Sequence, residues 1–556
     1  MTENRLIDIH APSRNTLTET DPTMFTDNPN RIAHDLVTQA DTCLAQTGVL
    51  EKLALWRSET KRATAGRAAA ISDRALLVAL LLLACERSAL TVGSIAELLQ
   101  HRLTTDSKEL LGLNTGAPSA DARIEHQRWY RTANNAFARL LDVMDPFPQA
   151  PRKSMTFTEI AEALAAHDPE REKAMKARLN EFAAAFFAMT FLQQPERTRD
   201  EHTTVDLAIG QVFLPASAPR GFSPRTLTDR VAEEAAGTTR PECANPVDVF
   251  AGWYQRNDAS AHETADAARL ERPGNRNAGV PVAWGWMSNV AVRVDAATPS
   301  SPHSPRFPAL VVSATLSRPN VGVSEEAVSL MRTALDTGLT AGFVHADKQY
   351  FATATVARLH LPTSELGFTP STDYRIDRLG VSERQHSGAV FIEGAAYCPT
   401  MPDALKRASM DFRARRIDVS TYRLRINERR RFQLRRKSTP DANGRFRMSC
   451  PPTAHQHGDS DYPPAQICTQ GSVTFNKSDG LRQRQAFPYK SAKWEEFHQH
   501  ASLTLEGTVA AAFHPRCGGT MDGAQRPRGF AAAQVMMTML LTVHNLRTIS
   551  EFLRDE

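Results

Sequence analysis

An α/β fold behind an all-α N-terminal region is what this 556-residue sequence predicts, and three observations predict it. Helical periodicity runs almost unbroken from residue 31 to about residue 195. Three strand-like runs follow, then a helix, then a fourth strand. Between 406 and 437, thirteen Lys or Arg face only Asp411, Asp418 and Glu428, a local excess of ten in a chain whose net charge is +4. Three successive strands, a crossover helix and a parallel fourth strand make the core of an RNase H-like sheet. The expected architecture is therefore an α/β RNase H-like catalytic core with an all-α N-terminal domain and a basic insertion.

Residues 1–30 are polar and aperiodic and read as a disordered tail. Residues 31–200 form the helical region, which the sequence punctuates clearly. Ser72 or Asp73 caps one helix, Asp145-Pro146-Phe147-Pro148 stops another, and Asp168-Pro169 opens a long one reaching Leu192. Residues 201–398 form the first part of the core. "TTVDLAIGQVFL" (203–214), "WMSNVAVRV" (286–294) and "PALVVSATL" (308–316) are rich in β-branched and apolar residues, with about 65 polar, Pro- and Gly-dense residues after the first. Ser324-Glu325-Glu326 starts a helix that ends at Gly338, and "TAGFVHA" (340–346) and "GAVFIEGAAYC" (388–398) each read as one strand. Residues 399–490 are the basic insertion. Residues 491–556 hold two C-terminal helices that complete the core.

The length exceeds what one ordinary core accommodates, and 41% hydrophobic with 23% charged residues is a globular composition. Seven scattered cysteines argue against a disulfide framework, and the Met1 end lacks the basic-then-apolar order of a signal peptide. Ala75 to Cys85 is an eleven-residue apolar run, short of the roughly 20 needed to span a membrane, so it reads as a buried helix. A cytoplasmic protein with no membrane partner is expected.

Asp347 follows the fourth strand directly, where open α/β sheets place their sites. Asp206 is the one acid on the first strand, and Glu506 stands inside the apolar helix stretch "LTLEGTV". Three acids from separated segments can converge on Mg²⁺ or Mn²⁺, hard cations that favour carboxylate oxygens. Two such ions activate the nucleophile and stabilise the leaving oxygen in phosphodiester cleavage and joining. Each acid also has a plain reading: a loop residue, or the partner of a buried cation. No G-x-x-x-x-G-K phosphate loop is present, so nothing points to ATP.

From residue 31 to the end the chain resembles the DDE-type transposases of bacterial insertion sequences, in particular a group common in actinobacteria. The resemblance rests on "MDPFP", "AGWYQRN" before "WGW", "HADKQY", "VFIEGAAYCPTMPDAL", "ERRRFQLRRKSTPDANGRFRMSCP", "ICTQGSVTF", and the "LEG" helix followed by "NLRTISEFL". It implies that Asp347 is the second catalytic, metal-binding acid and Glu506 the third. It also implies double-stranded DNA, as element ends and target, for a partner, and a homo-oligomer on DNA. The departures are specific. No D-x-T triplet occurs on the first strand, and alignment through the following proline puts Gly210 at the first-acid position, with Asp206 four residues earlier on the same strand face. The Arg, Asn and Lys that usually flank the glutamate are Ser502, Val509 and Phe513, a loss of polar contacts to DNA.

Two functions fit: DNA strand cleavage and transfer at insertion-sequence ends, or a catalytically inactive remnant that at most binds DNA. A metal-dependent nuclease without transfer would use the same acids. Within the basic stretch, Arg413, Arg415, Arg416, Arg423, Arg425, Arg429, Arg430, Arg431, Arg435 and Arg436 are the expected DNA contacts, with Tyr422 and Phe432 able to stack or pack; a solvated face is the plain alternative. The helix with Arg123, Arg128, Trp129, Tyr130 and Arg131 is either an end-recognition helix or an ordinary amphipathic one. Cys398, Cys450 and Cys468, with His455 and His457 nearby, lack the paired C-x-x-C spacing of zinc knuckles, so free thiols are expected rather than structural zinc.

Overall fold

The structure is a computed structural model that describes all residues except 1–30, 61–68, 114–118, 151, 218–220, 239–247, 256–281, 297–304, 376–377, 381–382, 442, 453, 455–464, 514–527 and 556. The expected tail, His455 and His457 lie outside the described residues.

Among the described residues, nine α-helices precede the first strand: α1 (His34–Thr47), α2 (Val49–Thr60), α3 (Asp73–Cys85), α4 (Val92–Glu97), α5 (Thr105–Leu110), α6 (Ala122–Asp142), α7 (Phe157–Ala165), α8 (Pro169–Leu192) and α9 (Glu196–Glu201). Their boundaries follow local chemistry. The Ser72 hydroxyl accepts from the Ala75 N–H, Thr156 and Glu159 form a reciprocal capping box, and Asp168 caps α8 ahead of Pro169. The Ala75–Cys85 run is buried on every side. Among the described residues no helix is long and apolar enough to cross a membrane.

The sheet contains β1 (Thr204–Pro215), β2 (Gly252–Gln255), β3 (Val282–Val294), β4 (Val311–Ser317), β5 (Thr340–Ala346) and β6 (Thr369–Thr372). Between them lie α10 (Pro224–Ala235), α11 (Val323–Leu335) and the short α12 (Lys348–Phe351) and α13 (Leu361–Glu365). The strands run in the order β2-β3-β1-β5-β6, with β4 also paired to β3. β3 is antiparallel to β1, β4 is antiparallel to β3, and β5 and β6 run parallel to β1. The order β, β, β, α, β is therefore present, and α10 and β2 fall inside the stretch expected to be loop. Gly322, in the left-handed region at φ 66°, precedes α11, which starts at Val323, one residue before the expected Ser324.

Alternation on β1 sends Val205, Leu207 and Ile209 to one face, against α11. Ala208 faces the opposite side, against Phe497 and Ala501 of the long C-terminal helix over residues 492–513. The last helix of the chain, over 530–555, packs with α3, α8 and β4 in one continuous core. The all-α region is thus joined to the sheet by shared packing. Asn545 fastens this junction: its Oδ1 accepts from Val311 N at 2.8 Å, and its Nδ2 donates to Val311 O at 2.8 Å and to Thr190 Oγ1 at 2.9 Å. The amide thereby takes up both backbone groups of a residue in edge strand β4.

The stretch 388–398 is not one strand. It folds as a hairpin of β8 (Val390–Ile392) and β9 (Ala395–Tyr397), flanked by β7 (Glu383–Arg384). Glu393 at φ 41° and Gly394 at φ 103° form its two-residue turn, a conformation that suits hairpins and is open to glycine at the second place. The basic stretch continues as α14 (Asp403–Lys406), α15 (Ala408–Arg413) and α16 (Val419–Glu428). A second small sheet follows, β10 (Arg435–Arg436), β11 (Phe446–Ser449) and β12 (Val473–Phe475), with α17 (Gln466–Thr469) before its last strand. Buried residues from Ala389 to Phe475 share one small core. α18 (Ala492–Phe513) and α19 (Phe530–Asp555) end the chain.

Candidate active site

β5 delivers Asp347 to the end of the sheet. The Asp347 N–H donates to Ile209 O at 3.2 Å, and its carbonyl accepts from Tyr350 N at 3.0 Å, which turns the chain into α12 and leaves the carboxylate exposed. The same bond puts Asp347 level with the Ile209–Gly210 peptide of β1.

α18 brings Glu506. Ala208 packs with Ala501, and two residues along β1 a Cβ built on Gly210 would collide with Leu505, so helix and strand run in the same direction. Ser502 Oγ lies 3.2 Å from His345 Nε2. From that bond Glu506 is one helical turn onward, about 6 Å, and Asp347 is two strand residues onward, about 6.6 Å. Both acids are exposed and stand at the same end of the sheet.

Asp206 does not join them. It lies four residues back along β1, about 13 Å from Gly210. Its Oδ1 accepts the Phe343 N–H at 2.7 Å where the β1–β5 register shifts between Val205 and Leu207. A Cβ on Gly342 would strike that same oxygen, so the missing side chain makes room for it. Burial raises the Asp206 carboxyl above its usual range, against the hydrogen bonds from Phe343 and Ala296 that lower it. Buried Arg293, which donates to Thr204 O at 3.1 Å, sits nearby, its guanidinium lowered to about 10 mainly by burial. Asp206 is thus placed as a carboxylate that repairs a strand irregularity. Gly210 occupies the position level with Asp347, and the Leu505 side chain fills the space an acid there would use. Among the described residues, the one group of three or more His, Cys, Asp or Glu whose ligand atoms lie within 4.8 Å of one another is Cys398, Cys450 and Cys468.

Ser502, Val509 and Phe513 on α18 all have partners on its inner side. Phe513 is buried in the main core and Val509 packs against it. Ser502 is engaged by His345, a residue the sequence reading passed over inside "HADKQY". His345 Nδ1 lies 3.1 Å from Ser371 O. A carbonyl only accepts, so Nδ1 carries the proton and Nε2 accepts from Ser502. Burial first, then neighbouring His498, lowers this imidazole to about 4.

The arginines of the basic stretch are spread over α15, the turn after it, α16, the turn after that and β10. Arg413, Arg415, Arg416, Arg423, Arg430, Arg431, Arg435 and Arg436 are exposed. Arg425 is half-buried and bonds Asp411 at 3.2 Å. Arg429 departs from the expected DNA-contacting set: it is 2% exposed, with Nη1 bonded to the fully buried Glu393 carboxylate at 2.6 Å and Nε to Leu405 O at 2.9 Å. Its side chain ties the β8–β9 turn to α14. Phe432 is buried, whereas Tyr422 stacks on exposed Phe412 with ring centroids 4.6 Å apart. On α6, Trp129 is buried and donates to Glu125 at 2.9 Å, while Arg123, Tyr130 and Arg131 face outward. Comparison with protein-family models and with curated protein sequences finds no match to this chain.

Proposed function

We propose that this chain is a DDE transposase-type protein with an RNase H-like core that binds double-stranded DNA as a homo-oligomer, and that its strand-transfer centre is incomplete. The observation that carries this reading is the Gly210–Leu505 contact beside Asp347 and Glu506. In the resemblance the three acids would hold the metal ions of phosphodiester cleavage and strand transfer. Here Asp347 and Glu506 offer hard oxygen ligands, while the third position has no side chain and its space is filled by a leucine. That donor set falls short of what two Mg²⁺ or Mn²⁺ ions require. The exposed arginines support the DNA partner, since guanidinium groups neutralise phosphates without reading sequence.

The second reading, an active enzyme that cuts and joins insertion-sequence ends, is favoured by Asp347 and Glu506 both remaining exposed at one end of the sheet. The deciding experiment incubates the protein with a labelled duplex carrying the gene's own flanking ends and Mg²⁺ or Mn²⁺, with Asp347→Ala in parallel. Salt-dependent binding without cleavage is the expected result. Boundary cleavage that vanishes in Asp347→Ala would establish the active reading instead. Folded protein with no affinity for any duplex would sink both.

A further inference from the structure

Cys398 directly follows β9, Cys450 directly follows β11, and Cys468 lies in α17, so three separate segments of the small core converge through one residue each. All three sulfurs lie within 4.8 Å of one another, and Cys398 Sγ and Cys468 Sγ are 3.6 Å apart. A tetrahedral zinc with Zn–S bonds of about 2.3 Å separates its sulfurs by about 3.8 Å. A disulfide would need about 2.05 Å. The backbone already fixes two of the ligands, through Cys398 N to Phe432 O at 2.8 Å and Cys468 N to Ala465 O at 2.8 Å.

We propose that Cys398, Cys450 and Cys468 are three of the four ligands of a structural zinc ion that holds the basic unit together. The unit needs such a fastening. Its core is a single small cluster between Ala389 and Phe475, packed under two three-stranded sheets, and units of that size commonly rely on a metal or disulfides. The electrostatics suit a thiophilic cation. The hydrogen bond from Cys450, with others from Thr400, holds the Cys398 thiol below its ordinary value. Burial pushes Cys468 up to about 11, and Cys450 is also raised, first by its bond to Cys398. Zinc binds cysteines as thiolates, so loading the site would release thiol protons. The site stands apart from Asp347 and Glu506 and does not depend on the reading of that centre.

The test is metal analysis of the full chain purified under reducing conditions without added chelator, by plasma mass spectrometry. About one zinc per chain is expected, lost in Cys398→Ser, Cys450→Ser and Cys468→Ser and retained in Cys85→Ser, whose thiol lies in the helical core. Because the three serine variants can lose the fold of the unit, the native chain is also exchanged with Co²⁺. A thiolate-to-cobalt charge-transfer band and protection of the three cysteines from alkylation are expected. Protein that arrives metal-free and shows no such band on adding Co²⁺ would overturn the proposal. So would zinc retained in all three variants, or a Cys398–Cys468 disulfide in reduced preparations.

Discussion

Gly210→Ala should destabilise the protein in its natural background and cease to do so once Leu505 is shortened. The added Cβ would lie 3.3 Å from Leu505 Cγ and closer still to Cδ2, against an ordinary carbon separation of about 3.5–4.0 Å. Leu505 is half-buried, so it can turn away, at a cost of about 1–2 kcal/mol in rotamer strain and lost packing. Replacing glycine inside a strand returns about 0.5–1 kcal/mol through reduced chain entropy, so the net loss should be about 0.5–1 kcal/mol. Leu505→Ala alone should cost about 1 kcal/mol, roughly half the value for a fully buried leucine. In that background only the favourable term remains, and Gly210→Ala should stabilise by about 0.5 kcal/mol. Urea denaturation of the four proteins measures the coupling, which should be about 1–2 kcal/mol, provided the m-values agree. Equal effects of Gly210→Ala in both backgrounds would show that Leu505 does not occupy the space beside residue 210. The same cycle with Gly210→Asp then reports on function: Mn²⁺ affinity by calorimetry should rise only when Leu505 is alanine.

Asn545→Leu should cost about 2–4 kcal/mol in urea denaturation, since it strands the buried N–H and C=O of Val311 together; a loss below about 1 kcal/mol would mean that β4 finds another partner. Arg429→Ala leaves the Glu393 carboxylate buried without its cation and should cost about 3–5 kcal/mol, whereas Arg430→Ala, one residue along and exposed, should change stability by less than about 0.5 kcal/mol and lower DNA affinity instead. If all eight exposed arginines meet phosphates, log Kd against log salt should have a slope near 7, dropping by about one per substitution; an unchanged slope in Arg430→Ala would remove it from the contact set. Burial lowers His360 from 6.5 to about 4, so between those values the unfolded chain binds more protons than the folded one and stability falls as the pH drops. Between pH 7 and pH 5 His360 should account for about 2 kcal/mol of the loss, so His360→Leu should lose that much less than the natural chain, as read by urea midpoints at the two pH values. Equal pH sensitivity of both proteins would refute it.

Much of the fold was legible because its signals are local. The Ser72, Thr156 and Asp168 caps and the β-branched runs locate their elements by short-range chemistry. The reading of 388–398 as a single strand failed because its apolar run hides Glu393-Gly394, a turn whose acid is neutralised by Arg429, thirty-six residues away. Asp347 and Glu506 were legible as candidates from their positions at a strand end and in an apolar helix. Asp206 was not legible as a structural carboxylate, since its hydrogen bond comes from a register shift opposite Phe343 that no spacing rule reveals. The cysteine cluster was hidden for a similar reason: its members are spaced 52 and 18 residues apart, and only the hairpin and the second small sheet bring them together.

The Asn545 clamp and the core shared by α3, α8 and α19 also bear on how the protein is made. A ribosome releases the apolar faces of α3 and α8 long before the helix that covers them, which starts 338 residues after Leu192 at Phe530. At about 5–20 residues per second, those faces wait on the order of half a minute for their partner. The nascent chain therefore carries an uncovered hydrophobic surface for that whole interval, which makes it a natural client for chaperones. Any premature stop before residue 530 would leave that surface uncovered for good.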